Sequence, residues 1–215
     1  MAIVLVRHGE TALNAARVMQ PADTPLSARG HAQARAVAAR LARRGGSGAV
    51  LSSDLPRARL TAEAIATALG LPVQTSARLQ ERNFGALRGR PYDTLGFDPL
   101  VMAQAPPGGE SADAFAQRMQ RAFEEMLQRH AALGADSTDL VVVTHGLVIR
   151  ALLGGPLRAG AGQGTDHPAM WQSLHLGNTS MSIFDAAPPH ALRLLNCTAH
   201  LDGAEGDDTH ALSGG

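Results

Sequence analysis

The chain has 215 residues, is 45% hydrophobic, and balances 19 basic against 19 acidic residues for a formal net charge of zero. That length suits one domain with a real core, and the balance excludes a general attraction to nucleic acid or to an anionic membrane. Every basic residue is arginine, which rules out a Schiff-base lysine and a lysine P-loop.

The first predicted element is an apolar strand at about Ala2 to Val6, followed by a polar loop through "QPADTPLS". Ser27 caps a helix predicted over Ala28 to Arg44, on which Ala34, Val37, Ala38 and Leu41 recur at helical spacing. Gly45 to Gly48 end it, and "AVLSS" reads as a second strand followed by Asp54. A helix over 56–69 places Ala58, Thr61, Ala62, Ile65 and Leu69 on one face, with Gly70 and Pro72 as stop signals. "PVQTS" is a third short strand. Residues 81–110 have no clean period and carry many Gly and Pro, as expected of a lid-like excursion over the surface. Ser111 caps a long helix with Phe115, Met119, Ala122, Phe123, Met126 and Leu127 inward. "DLVVVTHG" is a strongly buried strand, and "LVIRALLGG" continues as a helix. A Gly-rich loop at 154–168 precedes two late strands, "MSIFD" and "LRLLNC". Residues 1–201 are expected to form a single domain, and the polar tail 202–215 to be disordered.

Strand and helix alternate, and the two strongest strands are continuous apolar runs. That pattern predicts a mainly parallel sheet with helices on both faces, whose ligands bind beyond the carboxyl ends of the strands. "IVLVRHG" and "LVVVTHG" both run from a buried strand into His-Gly, so His8 and His145 should emerge on one sheet edge. The second strand brings Ser52, Ser53 and Asp54 to that edge, Arg57 starts the next helix, and the chain after the third strand delivers Glu81. Arg7, Arg57, His8 and His145 would make a cationic pocket suited to phosphate. Singly, each is unremarkable: a lone His ends many strands, and in an Arg-rich chain one Arg means little. The repeated His-Gly is what promotes them.

Rival uses of these residues are poorly supported. The nine histidines show no His-x-His, no HExxH and no close Cys/His cluster, so no metal and no cofactor are expected. There is no G-x-S-x-G elbow for a serine hydrolase. Cys197 is the single cysteine, excludes an internal disulfide and reads as core at a strand end. The N-terminal apolar run is too short for a signal-peptide core and nothing is long enough to span a bilayer, so a cytoplasmic location is expected. Homodimerisation stays open, with no apolar stripe arguing for it.

"VRHGET" with Asn14, "SSDLPRARLTA", "LQERNFG", "PPGGES", "VVVTHG", "GNTSMSIF" and "LLNCTAHL" resemble the histidine phosphatase superfamily, also called phosphoglycerate mutase-like, from about Ile3 to Leu201. The resemblance implies a three-layer α/β/α sandwich with a mainly parallel central sheet. It implies that His8 attacks phosphorus and becomes phosphohistidine, while Arg7, Arg57 and His145 clamp the phosphoryl oxygens. Glu81 would protonate the leaving oxygen and then activate water; Asn14 and Thr11 would flank the phosphate, and Gly146 would lend a backbone N–H. His8 must then be neutral, with its other ring nitrogen bonded to a carbonyl, and Glu81 must hold a proton through burial.

Three features depart from the family pattern. Pro21 stands in a loop where glycine is usual, Arg88 stands where many phosphatases have an acid and is followed by Arg90, and the 154–168 loop is long. Arg88 and Arg90 either read an anionic group on the substrate or reflect the Arg-rich composition. Residues 92–110 hold no Arg or Lys to grip a second anion. The expected function is therefore a metal-independent hydrolase of small phosphorylated metabolites. The alternatives are a phosphoglycerate mutase, a phosphohistidine protein phosphatase and a non-catalytic phospholigand-binding module.

Overall fold

β1 (Ala2–Arg7) is buried along its whole length, and its alternate side chains divide between two cores. The computed structural model describes residues 1–134, 138–158 and 174–202. β4 (Asp139–Thr144), equally buried, pairs with β1 in parallel, with Arg7 opposite Thr144. β2 (Ser47–Ser52) lies beyond β4, and β3 (Val73–Thr75) beyond β2, both parallel. On the other side of β1, β5 (Met181–Asp185) and then β6 (Leu192–Cys197) pair antiparallel. The order is β3-β2-β4-β1-β5-β6. The sheet is thus mixed, with its antiparallel part at one edge. The connection between β5 and β6 is too short for the crossover that parallel pairing needs.

Ile3, Leu5, Leu140 and Val142 face one core, shared with α4 (Ala112–Ala131) and α5 (Gly146–Gly154). Val4, Val6, Val141 and Val143 face the other, shared with α2 (Ala28–Arg44) and α3 (Pro56–Leu69). Helices on both faces of the sheet give the three layers. Ser27 and Ser111 cap α2 and α4 by accepting the amides of Gly30 and Ala114. Pro56 opens α3, and Gly70 closes it in the left-handed conformation.

A short helix, α1 (Ala12–Ala15), interrupts the loop after β1. Its four residues carry no readable period. Thr11 and Asn14 hold it by reciprocal capping, each side chain on the other's amide. The excursion at 81–110 consists of single 3₁₀ turns at 85–87, 92–94 and 99–101. It is pinned where the Met19 amide meets the Arg90 carbonyl at 2.9 Å and the Glu110 amide meets the Asn83 carbonyl at 2.7 Å. The Gly-rich loop from 159 on, and the tail from 203 on, lie outside the described residues.

Cys197 corrects an expectation. It is half-buried rather than core, because β6 is the edge strand, and its Sγ accepts from Arg40 Nη2 at 3.2 Å. Among the described residues, no helix is long and apolar enough to cross a membrane.

Candidate active site

Parallel pairing of β1 with β4 sets the site. The ladder continues one residue past Arg7, with the His8 amide donating to the Thr144 carbonyl at 2.9 Å. His8 and His145 therefore leave the sheet side by side, their ring centroids 5.1 Å apart and the rings near edge-to-face. Both are fully buried, as is Arg7.

The His8 ring is fixed by chemistry. Nδ1 lies 2.7 Å from the Gly9 carbonyl, which can only accept, so Nδ1 carries a proton and the neutral ring holds its lone pair on Nε2. The His8 carbonyl is held in turn by Asn178 Nδ2 at 3.0 Å and the Thr179 amide at 3.3 Å. Gly9 owes its identity to packing: a Cβ there would stand 2.6 Å from the Gly30 carbonyl oxygen, so the turn after His8 is clamped on the first turn of α2.

His145 is fixed from the opposite side. Ser53 Oγ accepts the Leu55 amide at 3.3 Å and stands 2.9 Å from His145 Nε2. With Ser53 donating its hydroxyl proton to Nε2, the His145 proton resides on Nδ1. That nitrogen is buried without a partner among the described residues. Burial holds the His145 pKa well below the usual range, helped by the nearby charges of Arg57 and Arg7, so the imidazole is neutral. The expected cationic pocket thus draws its charge from the guanidiniums of Arg7 and Arg57, with a neutral His145 beside them.

Arg57, second residue of α3, is 2% exposed, and Nη1 donates to the Pro21 carbonyl at 3.2 Å. Proline at position 21 still supplies the backbone oxygen that steers this arginine. Burial lowers the Arg57 pKa to about 10, with Glu81 opposing and Arg88 and Arg7 reinforcing the fall, so it stays cationic at neutral pH. Its Nε has no acceptor among the described residues. Arg7 Nη1 donates to the Leu176 carbonyl.

Glu81 enters from the end of the turn after β3 and is buried. Oε1 accepts the Arg82 amide at 3.0 Å, and Oε2 the Leu147 amide in the first turn of α5 at 3.1 Å. Burial pushes its pKa up, against those two amides and the Arg57 charge. Gly146 is the first residue of α5, where a helix leaves N–H groups without intrahelical acceptors.

Thr11 and Asn14 meet a residue the sequence reading passed over. The Thr11 hydroxyl donates to Gln20 Oε1 at 2.7 Å and accepts the Asn14 amide at 3.0 Å. These bonds leave Asn14 Nδ2 and Gln20 Nε2 as buried donors without acceptors among the described residues. Two stranded donors, an open Nδ1 on His145 and an open Nε on Arg57 are what an anion would satisfy. Gln20 was hidden in a loop without pattern; only its fold partner Thr11 reveals it. Tyr92 and Arg150 also belong to the surroundings, because burial and Glu81 both push the Tyr92 phenol up, and the Glu81 charge also acts on Arg150. Arg88 is half-buried and close enough for its charge to act on Arg57, while Arg90 is exposed. Among the described residues, no group of three His, Cys, Asp or Glu side chains is placed to hold a metal ion.

Comparison with known proteins gives the family. The family model described as "Histidine phosphatase superfamily (branch 1)" matches residues 3–198. The chain is 35% identical over 210 residues to the bifunctional protein Rv2228c of Mycobacterium tuberculosis, covering 93% of this chain but 54% of that one, so it spans about half of that relative's length. It is 35% identical over 216 residues to a probable phosphoglycerate mutase GpmB of Yersinia enterocolitica, covering 93% of this chain and 94% of that one. Among solved structures, the mycobacterial glucosyl-3-phosphoglycerate phosphatase Rv2419c superposes with a TM-score of 0.74 at 30% identity, over 91% of this chain and 98% of that one. That enzyme has also been solved with inorganic phosphate. Two His-Gly strand ends, the buried arginines around them and a family match spanning β1 to β6 lead to one conclusion: the chain belongs to the histidine phosphatase superfamily, branch 1.

Proposed function

We propose that the protein is a metal-independent phosphomonoester hydrolase that works through a phosphohistidine on His8. The observation that carries this reading is the His8 Nδ1–Gly9 carbonyl bond of 2.7 Å, which leaves Nε2 of the neutral ring as the nucleophilic lone pair among the buried guanidiniums of Arg7 and Arg57. In the first step, Nε2 attacks phosphorus, the bond from phosphorus to the ester oxygen breaks, and Glu81 gives its proton to the departing oxygen. In the second, a water attacks the phosphohistidine, Glu81 takes its proton, and the P–N electron pair returns to Nε2. Arg7, Arg57, His145 Nδ1–H, Asn14, Gln20 and the Gly146 amide hold the equatorial oxygens. Phosphoryl transfer asks mainly for such positioning and charge neutralisation, which two guanidiniums supply without a metal.

A mutase is the second reading, favoured by the GpmB relatives. A mutase must grip a second anion and keep water from the phosphoenzyme. The excursion offers no base between 92 and 110, which supports hydrolysis of small phosphorylated metabolites. The complete set His8, Arg7, Arg57, Glu81 and His145 argues against a binding module that has lost its chemistry. The test is a phosphate-release assay beside a coupled 3-phosphoglycerate to 2-phosphoglycerate assay. Release that is blocked by vanadate and indifferent to chelator is expected; strong isomerisation with slow release would overturn the hydrolase reading.

A further inference from the structure

Glu81 stands on a stretch of chain with open space on one side. The 3₁₀ turn Ala77–Leu79 delivers it, and Gln80 closes that turn. A cavity of about 490 Å³ reaches in to Glu81 from the outer surface, lined also by Gln80, Asn83, Glu110 and Arg118. Close packing therefore fixes the chain from one side only, and the rest falls to hydrogen bonds.

Arg118, on α4, supplies those bonds. Its Nη1 donates to the carbonyls of Arg78 at 2.8 Å and Gln80 at 2.7 Å. The carbonyl between them, that of Leu79, accepts Thr144 Oγ1 at 2.8 Å, so the turn is held from the helix and from the end of β4 alike. The guanidinium is itself fixed. Nε and Nη2 meet the two carboxylate oxygens of Glu110 at 2.9 and 2.7 Å, a bidentate fork, and Cζ lies 5.0 Å from the centre of the Phe115 ring. Glu110 then ties down the chain just after Glu81. Its amide donates to the Asn83 carbonyl at 2.7 Å, and its carbonyl accepts Arg82 Nε at 3.1 Å. One ion pair thus grips the chain on both sides of Glu81.

We propose that Arg118 is the positioning residue of the general acid: its fork on Glu110 and its two carbonyl contacts set where the Glu81 carboxyl stands relative to the leaving oxygen. The inference rests on the hydrolase reading, in which Glu81 hands its proton to that oxygen. Proton transfer demands close placement, and a displacement of about 1 Å can cost on the order of 10²-fold in rate. Arg118 acts through Glu81, so its loss should be felt only where the leaving oxygen needs a proton.

The experiment measures kcat for glycerol 3-phosphate, whose alkoxide must be protonated as it departs, and for p-nitrophenyl phosphate, whose phenolate need not be. Arg118→Lys keeps the positive charge, which also acts on Glu81, but gives up the planar fork. Glu110→Gln breaks the fork from the other side, and either variant that folds suffices. Each is expected to lower kcat for the alkyl ester about 10- to 100-fold and for the aryl ester by less than about threefold, with KM for both nearly unchanged. In a Glu81→Gln background, Arg118→Lys should leave the ratio of the two rates where it was. An equal loss on both esters, no loss on either, or a further fall in the ratio without the Glu81 carboxyl overturns the proposal. If the wild type hydrolyses neither ester, the hydrolase reading fails by itself. Amide hydrogen exchange then decides the positioning, as it does if only the aryl ester turns over. The Arg82 and Leu147 amides, which Glu81 holds, should exchange about tenfold faster in the variants, while the His8 amide on the Thr144 carbonyl is unchanged. Equal protection of the Glu81-bound amides overturns it.

Discussion

Ser53 Oγ lies 2.9 Å from His145 Nε2, and this contact decides which nitrogen of a buried, neutral imidazole can donate toward the site. Ser53 Oγ also accepts the Leu55 amide and keeps its own proton available to the ring. Ser53→Ala is expected to leave the fold intact and lower kcat by about 10- to 100-fold, the cost of one misdirected hydrogen bond in a dry site. Ser53→Thr should restore most of the rate. Steady-state kinetics with circular dichroism on the same samples checks this.

Glu81 yields a pH prediction. Its folded pKa is raised by burial above the ordinary value of 4.5. The acid form therefore persists above the normal carboxyl range, and kcat should fall on the alkaline side as Glu81 loses its proton. Glu81→Gln should cost about 10²- to 10⁴-fold with an alkyl ester and much less with p-nitrophenyl phosphate, whose leaving group departs without a proton. Stability follows the same sign. The native state binds the extra proton, so the contribution of Glu81 to stability is full below pH 4.5 and is lost as pH rises through the raised pKa. Denaturation of Glu81→Gln should lack that decline.

His200 reaches the site through the backbone. Arg40 Nη1 is 3.2 Å from His200 Nδ1, His200 Nε2 is 3.0 Å from Thr179 Oγ1, and the Thr179 amide is 3.3 Å from the His8 carbonyl. Thr179 has a φ of 55°, uncommon for a β-branched residue, so its conformation depends on these partners. Burial, with Arg40, lowers the His200 pKa to about 4. His200→Ala should reduce kcat about three- to tenfold with little change in KM, and His200→Gln should recover it. Because the folded pKa is depressed, wild-type stability should drop as pH falls from 6.5 toward 4, and less so in His200→Gln.

Gly30 tests the clamp behind His8. A Cβ there would stand 2.0 Å from the Glu10 carbonyl oxygen. Gly30→Ala should cost about 2–3 kcal/mol of stability, as overpacking of a backbone contact does. It should also lower activity at temperatures where the protein is still folded, because the displaced turn begins one residue after His8. Urea denaturation and kinetics at matched folded fraction separate the two effects.

The elements that position the site were legible because they are written in periods and caps. β1 and β4 are continuous apolar runs, Ser27 and Ser111 are caps, and Ala34, Val37, Ala38 and Leu41 mark the buried face of α2. His8 and His145 could be paired from their shared strand ends alone. Contacts without periodicity were not legible. The Thr11–Gln20 bond and the Thr179–His200 contact join side chains through loops. The neutrality of His145 comes from burial beside two arginines, a property of the folded surroundings rather than of any motif. The antiparallel pairing of β6 with β5 follows from the short connection between them, and the half-burial of Cys197 from the place of β6 at the sheet edge, neither of which strand composition shows.

The central claim is that phosphate passes through His8, and a rapid-quench experiment with an aryl [³²P]phosphate tests it most directly. The wild type should accumulate a protein-bound phosphate that is acid-labile and alkali-stable, map to the peptide containing His8, and appear no later than free phosphate. His8→Ala should form none and lose turnover by many powers of ten. Free phosphate released at near-normal rates by His8→Ala, or by a wild type that never forms the labelled intermediate, would contradict the account.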